Sequence, residues 1–190
     1  LLRTPVILFL SRAFLPWGTG VQADGKVNGM NVIDLSDWNE NVDCNAVAQQ
    51  CGGVIVKISE GCQLTELYSK RINEAKRYGL KWGVYCYTHA TTAARARKEA
   101  DTVIRALSVL DTGTPDLGIW FDVEAPEVIG RNRDDVTAIC STFIAACHAA
   151  RYSAGIYASY DTLTNRIRVD NLAANVPYWE SVGAQTEAAA

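Results

Sequence analysis

Apolar and polar positions along this chain alternate between two periods. Short runs rich in Val, Ile, Tyr and Trp fall at Met30–Asp34, Gly53–Ile58, Lys81–Thr88, Leu117–Asp122 and Ala154–Ala158, with a weaker one at Val176–Trp179. Their length and composition predict strands. Between them lie stretches of helical period at Asp43–Cys51, Glu66–Tyr78, Thr92–Leu110 and Asp134–Ala150. In the third, Ala93, Ala96, Ala100, Val103, Ile104, Leu107 and Leu110 share one face while the charges fall on the other. In the fourth, Val136, Ile139, Cys140, Phe143 and Cys147 form the apolar stripe. Gly52 and Gly79 follow two of the helices as expected C-caps. Such alternation predicts an α/β fold, a parallel sheet covered by helices, either doubly wound or closed into a barrel.

A repeat within the strands favours the barrel. Gly83-Val84-Tyr85, Gly118-Ile119-Trp120 and Gly155-Ile156-Tyr157 place a glycine and then an aromatic on one parity of three successive strands. Aromatics in one phase line a shared interior, and the glycines beneath them make room.

The segment Leu117–Glu124 carries the candidate chemistry. Side chains of a strand alternate between faces, so Gly118, Trp120, Asp122 and Glu124 share one side while Leu117, Ile119, Phe121 and Val123 take the other. The two carboxylates stand roughly 7 Å apart at about 3.3 Å of rise per residue. At that separation one ionised group raises the pKa of the other, which suits a general acid with a charged helper. Solvated strand termini often carry acids as well, and this segment alone does not choose between the two readings. Asp34 ends the first strand as Asp122 ends the fourth. In parallel α/β folds function gathers at the carboxyl ends of strands, where Asp34, Thr88, Asp122, Glu124 and Ser159 fall. Aromatics with converging acids suggest a carbohydrate site, since rings stack on sugar C–H faces and carboxyl groups protonate glycosidic oxygens.

Composition narrows the alternatives. A chain of 190 residues, 48% hydrophobic and 21% charged, fits one domain with a sizeable core. A net charge of −3 argues against a nucleic-acid partner, which needs a basic surface. The basic cluster Arg95, Arg97 and Lys98 is offset by Glu99 and Asp101 and reads as a solvated helix face. The six cysteines form no CxxC pair, and His89 and His148 lack metal-site spacing, so no metal and no cofactor is expected. Cys44 and Cys51, like Cys140 and Cys147, are seven apart on expected helices, too far to bridge one another. Residues 1–28 differ in pattern from the rest of the chain. Arg3, the apolar runs Val6–Leu10 and Ala13–Trp17, and the small-residue stretch Val21-Gln22-Ala23 read as a leader or a segment outside the fold. No run approaches the ~20 apolar residues of a membrane span, so no stable membrane insertion is expected.

In order along the chain stand Asp34-x-Ser36-x-Trp38, Lys57-Ile58-Ser59-Glu60-Gly61, Gly83-Val84-Tyr85, Asp122-Val123-Glu124 and Gly155-Ile156-Tyr157. This set resembles the glycoside hydrolase family 25 lysozymes from about Gly29 to Trp179. The resemblance implies a TIM-like flattened barrel of five β/α units followed by strands without intervening helices. It implies a monomeric glycosidase acting on bacterial peptidoglycan, an N-acetylmuramidase of the bacterial or phage endolysin type. In that reading Glu124 is the general acid/base, Asp122 positions or stabilises the reacting sugar through its acetamido group, and Asp34 is a supporting acid. Tyr85, Tyr157, Trp179, Glu60 and Trp38 contact substrate. Retention through the substrate's acetamido group and inversion both remain open. The competing class is a glycan-binding domain of the same fold without turnover.

Two departures stand out. Members often have histidine and phenylalanine after the third-strand tyrosine, where this chain has Cys86 and Tyr87. After Trp179 the family continues with closing strands and a further acid, whereas residues 180–190 show no strand pattern and end in three alanines. The expected domain therefore runs over residues 29–190, without its last strands.

Overall fold

The computed structural model describes residues 21–22, 26–27, 30–39, 42–111 and 113–181. Most of the expected leader, and residues 182–190, lie outside them. Two short strands, β1 (Val21–Gln22) and β2 (Lys26–Val27), pair antiparallel with each other and onto β3 (Met30–Leu35). Next come α1 (Cys44–Ala48), β4 (Gly53–Glu60), β5 (Gln63–Leu64), α2 (Tyr68–Arg77), β6 (Lys81–Tyr87) and α3 (Ala93–Leu110). The chain goes on through β7 (Ile119–Asp122), α4 (Pro126–Ile129), α5 (Arg133–Ala149), β8 (Ala154–Ser159) and β9 (Tyr178–Ser181). Side-chain caps start three of the helices: Asp43 accepts from the Asn45 amide, Thr92 from that of Arg95 and Asn132 from that of Asp135.

Strands β3, β4, β6, β7, β8 and β9 are parallel and lie side by side in chain order. An order that never reverses winds every crossover the same way, which puts the helices on one face and leaves the other as an interior. Asp34 on β3 and Trp179 on β9 line one pocket, although a flat sheet would hold those strands about 24 Å apart at ~4.8 Å per strand. The sheet is therefore curled into a half-barrel, and among the described residues β9 pairs with β8 alone.

The large core lies between sheet and helices. Ile119, Phe121 and Val123 are fully buried there, with Phe121 stacked on Phe143 of α5 at 4.0 Å between centroids. Val136, Ile139, Cys140, Phe143 and Cys147 are all buried as their period predicts. Inside the curl a smaller cluster joins Val32, Ile55, Trp120 and Trp179.

Several expectations are corrected. Leu117 packs with the inner cluster and not with the helices. Gly118 has φ of +74°, which breaks the alternation, so the strand begins only at Ile119. Glu99 sits wholly buried in the apolar face of α3, where the helical period alone put no charge. Gly52 is no left-handed cap: a Cβ there would collide with the Met30 side chain, and its amide donates to Asn31 O. Helix α1 ends before Cys51, so Cys44 and Cys51 do not share it. Glu180 and Ser181 belong to β9.

Candidate functional site

A pocket of about 210 Å³ opens inside the curl, lined by Asp34, Ile55, Tyr85, Trp120, Asp122, Glu124, Tyr157 and Trp179. Register explains the convergence. Asp34 lies beside Ile55, Tyr85 beside Trp120, Asp122 beside Tyr157 and Tyr157 beside Trp179. Strand β7 formally ends at Asp122, yet the Val123 amide still donates to Tyr157 O at 2.8 Å, and Val123 is buried against the helices. The alternation therefore persists for two more residues and turns Glu124 inward beside Asp122.

The aromatic wall is interlocked. The Trp179 ring meets Trp120 edge-on at 5.3 Å and Tyr157 at 5.4 Å, and Trp120 Nε1 donates to Leu117 O at 2.8 Å. The room for Trp120 comes from Gly155, where a Cβ would lie 2.7 Å from Trp120 Cζ3.

The acids feel this enclosure. Asp122 is 6% exposed. Burial pushes its pKa well above the usual carboxylate range, and Glu124 and Asp34 push the same way while Lys57 opposes them. Asp34 is also raised, chiefly by burial. Burial likewise lifts the phenols of Tyr85 and Tyr157, so both are neutral donors at working pH. Two buried polar atoms of the wall have no hydrogen-bond partner among the described residues: Asp122 Oδ1 and Trp179 Nε1. An unpaired acceptor and donor in a buried wall cost free energy unless a ligand engages them.

The model of the glycosyl hydrolases of family 25 matches residues 33–188. The chain belongs to that family. Solved structures agree on the fold. The modular autolysin of Streptococcus pneumoniae, in complex with a synthetic peptidoglycan ligand, superposes with a TM-score of 0.63 at 22% identity, covering 71% of this chain and 33% of that one. The catalytic domain of an endolysin from a Listeria monocytogenes bacteriophage gives 0.65 at 21%, covering 75% and 68%. A family 25 hydrolase from Bacillus anthracis gives 0.64 at 16%, covering 82% and 72%. This chain thus spans about a third of the pneumococcal autolysin. A search of curated proteins returned no match.

Of the family 25 residues expected from sequence, Asp34, Tyr85, Asp122, Glu124, Tyr157 and Trp179 come together in the pocket. Glu60 does not line it. It stands half-exposed at the end of β4, bonded to Lys57 Nζ at 2.6 Å and to His89 Nε2 at 3.1 Å. Trp38 lies in the 3-10 turn Asp37–Asn39, and its side chain falls outside the described residues. Thr88 and Ser159 are also at strand ends but turn away: Thr88 donates to Glu99 at 2.6 Å and Ser159 to Thr162 at 3.0 Å. Ile55 and Trp120 are the pocket residues that motif matching passed over; the in-phase aromatic repeat already marked Trp120. Among the described residues no group of three or more His, Cys, Asp or Glu side chains is arranged to hold a metal, and no helix is long and apolar enough to cross a membrane.

Proposed function

We propose that this chain is a muramidase of the bacterial cell wall, hydrolysing the β-1,4 bond between N-acetylmuramic acid and N-acetylglucosamine in peptidoglycan. The observation that carries this reading is the pair of unpartnered buried atoms, Asp122 Oδ1 and Trp179 Nε1, set in an aromatic wall beside Glu124. An N-acetyl group offers one carbonyl and one N–H. The Trp179 indole donates to the carbonyl and Asp122 accepts the N–H, while Tyr85, Trp120 and Tyr157 pack against the sugar ring. Burial without a protein partner leaves Asp122 Oδ1 as the acceptor for that N–H. Glu124 gives its proton to the departing glycosidic oxygen and afterwards activates water. Asp34, across the pocket, adds negative potential as oxocarbenium-like charge develops.

The substrate class is further supported by the pneumococcal autolysin, solved with a peptidoglycan ligand on the same fold. We place the chain at the cell wall, secreted or released by phage, and working as a monomer. The test is to incubate the chain and its Glu124→Gln variant with purified peptidoglycan and identify new reducing ends by mass spectrometry. N-acetylmuramic acid ends should appear with the parent and fall about 10²–10⁴-fold in the variant. Undiminished release by Glu124→Gln would remove Glu124 from its role. A folded parent that binds glycan without releasing ends would make this a binding domain.

A further inference from the structure

Just outside the pocket, four charged side chains cross the carboxyl ends of three strands. Lys57 Nζ donates to Glu60 Oε2 at 2.6 Å, both on β4. His89, in the loop after β6, places Nε2 3.1 Å from Glu60 Oε1 and Nδ1 2.5 Å from Glu127 Oε1. Glu127 lies in the first turn of α4, three residues beyond Glu124, and Ala125 between them is the buried N-cap of that helix. The His89 ring therefore joins the β4 rim to the short segment that carries Glu124.

We propose that His89 is a positioning residue for the catalytic segment: as an imidazolium it bridges Glu60 and Glu127, and loss of its proton releases the Glu124 segment from the β4 rim. This rests on the muramidase reading for its functional consequence, but the bridge itself does not. A neutral imidazole has one donor and one acceptor nitrogen, so one carboxylate would face a lone pair; only the protonated ring donates to both. The ring is also held in place from behind. Glu99, wholly buried, accepts from Thr88 Oγ1 at 2.6 Å and from the His89 backbone N–H, and the Tyr87 ring meets the imidazole edge-on at 5.3 Å.

The charges around His89 come from every neighbouring element. β4 supplies Glu60 and Lys57, β6 the phenol of Tyr87, α4 Glu127, and α3 Glu99 with Arg95, which approach across Gly61. Lys57 is already engaged by Glu60 Oε2, and Arg95 Nε lies 3.6 Å from Glu99 Oε1, so the cations are compensated. The balance favours the imidazolium: Glu127 and then Glu60 raise the His89 pKa against a burial effect, while Glu60 is lowered chiefly by Lys57 and then by His89, and Glu127 chiefly by His89. The bridge is therefore complete below the ordinary histidine range near 6.5 and is lost as pH rises through the higher folded value. His89 is 39% exposed, so solvent screens the pair and the effect is on position more than on global stability.

His89 and His148 are the two histidines, so proton NMR resolves the His89 titration directly. Its midpoint should lie above the ordinary histidine value of 6.5 and fall in Glu127→Gln. Amide exchange at Val128 and Ile129 should quicken as pH passes that midpoint, and should be fast at all pH values in His89→Gln. In turnover, His89→Gln should lower kcat several-fold at pH 6 with little change in KM and flatten the alkaline limb. A His89 midpoint unmoved by Glu127→Gln, or Val128 and Ile129 exchange indifferent to His89, would overturn the bridge. An unchanged pH–kcat profile in His89→Gln would overturn its positioning role. A chain whose His89 titrates as expected but turns over no glycan would contradict the proposed activity and leave the bridge standing.

Discussion

Replacing Gly155 by Ala adds a single methyl group at the tightest point of the aromatic wall. The new Cβ would stand 2.7 Å from Trp120 Cζ3, 2.7 Å from Pro177 O and 2.8 Å from Pro177 Cγ. Comfortable contact needs about 3.5–4.0 Å, so three contacts are each short by roughly 1 Å. None of the neighbours is a flexible side-chain end. Pro177 O accepts the Ile156 amide at 3.0 Å and so belongs to the β8–β9 pairing, while Trp120 is tied to Leu117 O and wedged against Trp179. Overpacking of this kind costs about 1–3 kcal/mol, and the fixed neighbours put it at about 2–3. The loss of chain freedom in the unfolded state returns about 0.4–1 kcal/mol, leaving a net cost of about 1–2.6 kcal/mol. At 1.4 kcal/mol per factor of ten, the folded-to-unfolded ratio drops roughly five- to seventyfold. Urea unfolding followed by far-ultraviolet circular dichroism measures this, with the slope against denaturant expected to stay unchanged. The near-ultraviolet indole signal should change as well, because Trp120 must move. A loss below about 0.5 kcal/mol with an unaltered indole signal would refute the claim that Gly155 is there to seat Trp120.

The buried groups give further outcomes. Asp122 binds its proton more tightly in the folded chain than in the unfolded one, so its ionisation costs stability as pH rises from the unfolded carboxylate range near 4 through the higher folded value. Asp122→Asn should therefore gain stability relative to the parent as pH goes from 4 to 7 while losing turnover; parallel stability curves would refute the buried charge. Phe143→Ala, which removes the ring stacked on Phe121, should cost about 3–5 kcal/mol in urea unfolding, and a cost under about 1 would mean the α5 contact is not core. Glu99→Ala strips the partner from the Thr88 hydroxyl and the His89 amide and should cost about 1–3 kcal/mol, with faster amide exchange at His89; unchanged exchange there would show that Glu99 does not hold the loop.

Much of the site was legible because strand parity is a local property. Gly83, Tyr85, Trp120, Asp122, Gly155 and Tyr157 occupy alternate positions on successive strands, and the parallel register then stacks them on one side. Parity failed where the backbone left the strand. Leu117 changed faces because Gly118 adopts a left-handed conformation, and no hydrophobic pattern encodes that angle. Glu60 obeys the same motif logic as its neighbours, yet β4 and β6 slip register between Lys57 and Ser59, and Glu60 emerges on the rim and not in the pocket.

The sequence by itself determined the strands, the helices, the acids at strand ends and the family, because each depends on residues near in the chain or on short motifs in order. Tertiary structure decided what depends on groups far apart. It gave the barrel that the aromatic repeat favoured its actual form, a sheet curled into a half-barrel through a strand order that never reverses. It buried Glu99 inside a helix face that its period marked as apolar, because Thr88 and the His89 amide supply hydrogen bonds from another element. It also raised Asp122 and joined His89 to Glu60 and Glu127, since proton affinity is set by burial and by charges brought together in space.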